Sequence, residues 1–170
     1  MPDRTKKPFF TEAISYVARG EHAFIAIDEP TNRDWFVSDL CSALVNKPVV
    51  VINARETANN QDFANQVVSA CHELLNCIDS ELSFAPLTLH GYLEATMLNF
   101  GEKNEQGYMI VNHIDAVIGR QSTFEVEGAF RSAMQLYDDV LVVWLASRET
   151  ILAINQSDRP FYLSFRNFGL

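Results

Sequence analysis

Five short, almost wholly apolar runs recur along the chain: Ala23–Ile27, Pro48–Ile52, Gly107–Val111, Asp139–Leu145 and Phe161–Phe165. A run apolar at consecutive positions has no polar face. It suits a strand covered on both sides, as in a parallel sheet, and not one wetted on one side. Between the runs, apolar residues recur at three- and four-residue spacing, which is the helical period. The predicted helices are Glu12–Arg19, capped by Thr11 and closed by Gly20; Arg33–Val45, capped by Thr31 or Asn32; and Asp62–Ile78. Phe36, Leu40, Cys41 and Leu44 form the stripe of the second, and Phe63, Val67, Ala70, Cys71, Leu74 and Cys77 that of the third. Three more follow at Thr88–Asn99, Thr123–Tyr137 and Glu149–Ile154, the last with Ser147 as its N-cap. Strands alternating with helices predict an α/β fold: a three-layer, five-stranded, mainly parallel sheet with helices on both faces. Residues 1–8 read as a polar, basic leader and 9–170 as a single domain.

Charge narrows the function classes. Among 170 residues, 13 are basic and 22 acidic, a formal net of -9. Such a chain repels nucleic acid and anionic membrane on average, so direct nucleic-acid binding is not expected. The longest strictly apolar run, Val140–Ala146, falls far short of the ~20 residues of a membrane helix. No apolar segment of a signal peptide follows the basic start. Cys41, Cys71 and Cys77 make no close-spaced metal pair, and an odd count predicts reduced thiols in the cytoplasm. Cys71, Cys77 and His72 read as ordinary helix residues without zinc. His22 and His90 read as surface or capping residues, and Trp144 as core. No metal and no cofactor are expected.

In an open α/β sheet, ligands bind beyond the carboxyl ends of the strands. After the first strand stands Asp28-Glu29-Pro30-Thr31-Asn32-Arg33-Asp34-Trp35. A phosphate cradle here needs glycines, a lysine and a hydroxyl placed for magnesium. Glycine and lysine are missing, Arg33 is the only cation, and Asp28, Glu29 and Asp34 would repel a triphosphate. After the third strand stands Asn112-His113-Ile114-Asp115. His113 and Asp115 read either as an acid–base pair or as a strand-end pair satisfying local hydrogen bonds. The second is preferred because no nucleophile accompanies them. Ser147 lacks the flanking glycines of a nucleophile elbow.

The order and punctuation of these elements resemble the AAA+ branch of the P-loop NTPases, particularly small archaeal-type, STAND-like ATPase domains. The likeness spans about Phe9 to Leu170. It places Asp28–Trp35 at the phosphate loop and Tyr108–Val117 at the second motif, where Asn112 replaces the magnesium aspartate and His113 the catalytic glutamate. Asp115 keeps a carboxylate whose role in that family is mostly structural. Leu145 stands at the sensor position, and the chain stops where a lid domain would begin. The resemblance implies a strand order of 5-1-4-3-2.

Together these readings predict a degenerate, catalytically inactive AAA+-like domain. It would act through protein–protein contacts, as a homo-oligomer or as a subunit of a larger assembly. If the chain uses the oligomer surfaces of the family it resembles, Arg120, Arg131 and Arg148 are where they would lie. The alternative is a small-molecule or nucleotide binder, or a hydrolase, that uses a pocket formed by His113, Asp115 and Arg33.

Overall fold

A computed structural model describes residues 9–118, 124–156 and 166–169. Within them the chain runs α1 (Phe9–Ala18), β1 (Ala23–Ala26), α2 (Pro30–Ala43), β2 (Val49–Asn53), α3 (Asn60–Cys77), α4 (Leu89–Glu102), β3 (Gly107–Asn112), α5 (Asp115–Ile118), α6 (Phe124–Leu136), β4 (Val140–Ala146), α7 (Arg148–Ile154) and β5 (Arg166–Phe168). A 3-10 turn over Ala54–Glu56 follows β2.

The strands form one parallel sheet in the order β2-β3-β4-β1-β5, the expected order read from the other edge. The expected last strand at 161–165 lies outside the described residues. The strand seen at that edge is Arg166–Phe168, paired with β1.

Alternation along the strands sorts the core into two halves. Phe24, Met109, Val111, Val142 and Trp144 face α3, α4 and α6. Ile25, Tyr108, Ile110, Val143 and Leu145 face α1 and α2. The three inner strands β3, β4 and β1 are buried at every position, as their unbroken apolar runs demand. Trp144 is a core residue, stacked edge-on against Phe130 with centroids 4.6 Å apart.

Several boundaries differ from the sequence expectation. Helix α1 begins by Phe9, so Thr11 lies inside it. Helix α2 starts three residues early: Glu29 is its N-cap and Pro30 its first residue, because proline at that position loses no helical hydrogen bond. Thr31 and Asn32 are therefore helical. Cys77 leaves the stripe of α3 and is exposed, since the helix ends there and Ile78 takes the inward position. Ser147 caps α7 as expected, accepting from the Thr150 amide.

Two glycines test this packing in opposite directions. A Cβ on Gly107 would lie 2.7 Å from the fully buried Phe100 ring, whereas one on Gly128, inside α6, would meet nothing within 4 Å. Gly107→Ala should destabilise by about 1–3 kcal/mol. Gly128→Ala should stabilise by about 0.5–1 kcal/mol through helix propensity. Urea denaturation of both variants checks the pair.

Candidate functional site

The carboxyl ends of β1, β3 and β4 meet at a buried arginine. Arg33 sits one turn into α2, at the position where the stripe of Phe36 and Leu40 continues toward the sheet. Only 4% of it is exposed. A buried guanidinium needs its donors filled and its charge opposed. Nε donates to the Ile27 carbonyl, and Nη2 reaches the Asp28 carbonyl at 3.4 Å. Nη1 donates to Asp115 Oδ2 and also faces His113 Nδ1 at 3.2 Å.

The network extends from both partners. Asp115 Oδ1 accepts the Ser147 amide at 2.6 Å, which ties the start of α5 to the end of β4. His113 Nε2 donates to Asp34 Oδ1 at 3.1 Å, and Asn112 Nδ2 donates to the same oxygen at 2.9 Å. An arginine offers no acceptor, so His113 must present the Nδ1 lone pair to it and carry its proton on Nε2. Burial pushes the His113 pKa down; the Asp34 bond opposes this, and the Arg55 and Arg33 charges reinforce it. For Asp115, partial burial works against the charge, but the Ser147 amide and Arg33 outweigh it and hold its pKa low. His113 takes φ +57°, the left-handed region, at the bend that leaves β3.

The structure therefore brings together Arg33, His113 and Asp115, the three residues that the alternative reading has lining a pocket. Arg33 bonds to both of the others. Asp34 joins them, and Asp28 caps α7 by accepting the Arg148 amide at 2.8 Å. Glu29 accepts from Asn32 Nδ2 at 2.8 Å, while Trp35 is half-buried on the far side of α2. In the sequence Asp28 and Asp34 carry only the signal of charge that repels phosphate; these internal bonds have partners distant along the chain and leave no mark there. A depression of about 680 Å³ lies elsewhere, between the starts of α3, α4 and α6, lined by Asn60, Leu87, His90, Val126 and Ala129 among others.

The remaining candidates scatter. His22 is not a surface or capping residue: its Nδ1 accepts the Val142 amide at 2.9 Å, and burial lowers its pKa to about 4 against the Tyr137 backbone and Asp138. His90 opens α4, its Nδ1 3.4 Å from the Ala129 carbonyl. Cys71 is buried, and burial raises its thiol pKa to about 11. Among the described residues, no group of three or more His, Cys, Asp and Glu gathers to hold a metal, and no helix is long and apolar enough to cross a membrane. Arg131 is half-buried and Arg148 exposed; Arg120 lies outside the described residues.

No protein-family model and no curated protein matches this chain. Solved structures do. The chain is similar to the Walker-type ATPase of Pyrococcus abyssi, with a TM-score of 0.68 and 10% identity over 98% of this chain and 53% of that one. It is similar to a chain in the structure of Drosophila ORC bound to AT-rich DNA and Cdc6, with a TM-score of 0.64 and 11% identity over 94% and 52%. Cdc6p from Pyrobaculum aerophilum follows at 0.61 and 10% over 99% and 48%. The chain thus spans about half the length of these three, and at such identity the likeness establishes the P-loop NTPase-like fold alone.

Two outcomes follow from the network. Arg33→Ala leaves Asp115 and His113 without their partner and should destabilise by about 3 kcal/mol, the low end for a broken buried pair because Asp115 keeps some water. Chemical denaturation at neutral pH measures it. Acid should also weaken the fold. The unfolded chain binds protons on His22 and His113 below pH 6.5, while the folded chain refuses them until its lower pKa values are reached. Stability is therefore complete above pH 6.5 and falls as the pH drops toward about 4, the folded value of His22. His22→Gln keeps an acceptor for Val142 and should flatten that slope in melts recorded across the range.

Proposed function

We propose that this is a catalytically inactive AAA+-like domain that works through protein–protein contacts, alone or as a subunit of a larger assembly. The observation that carries this reading is the closed turn between β1 and α2, with Arg33 locked beneath it. Only Ile27, Asp28 and Glu29 separate strand from helix. A phosphate cradle of the strand–GxxxxGK[ST]–helix kind is longer, and its amides face the anion. Here Pro30 has no amide to offer, and the Asn32 and Arg33 amides donate back to the Glu29 carbonyl. The single cation of the turn points inward, satisfied by Asp115. Asn112 and His113 hold Asp34 where a metal-binding and water-activating pair would otherwise stand.

The same bonds weigh against the alternative of a small-molecule binder or hydrolase. His113, Asp115 and Arg33 converge, but their polar atoms are taken up by one another and by Asp34, the Ser147 amide and the Ile27 and Asp28 carbonyls. The nearby Ser147 and Thr150 hydroxyls bond to Asp115 and to each other. A net charge of -9 favours protein partners over the DNA found with Drosophila ORC.

Thermal shift with ATP, with and without magnesium, tests the reading. A ligand at roughly fifty times its Kd stabilises by about 2 kcal/mol, a rise of several degrees for a domain this size. The melting temperature should move by less than about one degree at millimolar nucleotide. A rise of several degrees, or release of phosphate, would overturn the inactive reading.

A further inference from the structure

We propose that the free edge of the sheet at β2 is a docking strand for an extended segment of a partner protein, one whose apolar residues are bracketed by carboxylates. This rests on the protein-contact part of the function proposed above and names its surface and the partner's chemistry.

Strand β2 is an outermost strand, paired on one side with β3. The Tyr108 amide donates to the Pro48 carbonyl at 2.9 Å, and the register pairs Val49 with Tyr108. Peptide groups alternate in direction along a strand. Val50 and Ile52 therefore turn theirs toward β3, and Val49 and Val51 turn theirs outward, with no hydrogen-bond partner among the described residues. Such a row of donors and acceptors is a template for an added strand. The side chains beside it are apolar. Val51 is 44% exposed and Val45, two residues past the end of α2, 67%. Val37 and Cys41, half-buried on α2, pack against the same half of the core as Val49.

Charge selects the occupant. Residues 40–55 are the longest stretch of the chain without an acidic residue, although the chain carries 22 of them. The edge strand lies inside that stretch, bracketed by Lys47 and Arg55, both exposed. A second copy fits poorly. Antiparallel self-pairing centred on Val51 would set Lys47 of one copy opposite Arg55 of the other, and like charges facing across strands are destabilising. An extended segment with acidic ends meets the same two charges with the opposite sign.

The probe is a labelled decapeptide of alternating valine and threonine between paired glutamates, read by fluorescence anisotropy. The control replaces the glutamates with lysines. The acidic peptide should bind at least about tenfold more tightly than the basic one, and roughly 0.5 M salt should narrow the gap. Val51→Pro removes an outward amide without breaking a bond to β3 and should weaken binding about tenfold. Val51→Thr, which keeps that amide, should bind normally. Equal binding of the two peptides, no binding of the acidic peptide at about 1 mM, or full binding by a folded Val51→Pro variant sinks the idea. If Val51→Pro does not fold, amide exchange of the unaltered protein decides: Val49 and Val51 must gain protection with the acidic peptide. The ATP thermal shift stays a separate readout. A nucleotide response overturns the inactive reading whatever the peptide does, and a failed peptide removes this edge without touching that reading.

Discussion

A guanidinium cannot be buried alone. Taking the Arg33 charge out of water costs several kcal/mol, and the surroundings offset that only if its donors are met and its charge opposed. The Ile27 and Asp28 carbonyls, Asp115 and His113 do this together. These partners come from the end of β1, the end of β3 and the start of α5. Through the Ser147 amide, Asp115 also holds the end of β4. In an open parallel sheet this rim is where strands splay and ligands enter. Here one side chain ties the end of β1 to the end of β3 and the start of α5.

That fastening explains the backbone at His113. A non-glycine residue in the left-handed region costs roughly 1–2 kcal/mol, and such a conformation persists only where neighbours over-determine it. The His113 ring is held from both sides, by Arg33 at Nδ1 and Asp34 at Nε2. The bend in turn brings Asp115 onto Arg33. Strain and network support each other, so neither is separable by a single substitution.

Much of the scaffold was legible in the residues. Central strands β3 and β4 are apolar at consecutive positions because helices cover both faces, and that alone distinguishes them from half-wet strands. Helix boundaries were less legible. Pro30 was read as part of a turn, although its missing amide suits the first helical position equally well. Cys77 follows the apolar spacing of α3 but sits where the helix ends, and periodicity carries no information about the end. The site was the least legible. Arg33 falls on the apolar stripe of its own helix, three and seven residues before Phe36 and Leu40, and a charge at a stripe position signals a buried pair. Two of its partners, His113 and Asp115, lie some eighty residues away; their place after the third strand groups them with Arg33 in the sequence, but does not give the bonds they make. His22 fails for the same reason: its amide partner, Val142, is on a strand distant in sequence.

The acidity of the chain looks different once these bonds are placed. Asp28 and Asp34, in the turn after β1, accept an amide of α7 and the His113 ring. Their charges are spent on holding the rim, and they still present no cation to an incoming phosphate. The opposite holds at β2, where a long stretch lacks acid altogether and Lys47 and Arg55 face water. A net charge of -9 spread evenly would leave no such gap. Carboxylates gather at the rim beyond β1 and are absent over residues 40–55 along the β2 edge, and this contrast is what the proposed docking strand rests on. The fold keeps the parallel sheet of P-loop NTPase-like folds, and its charge is unevenly divided between the rim and the β2 edge.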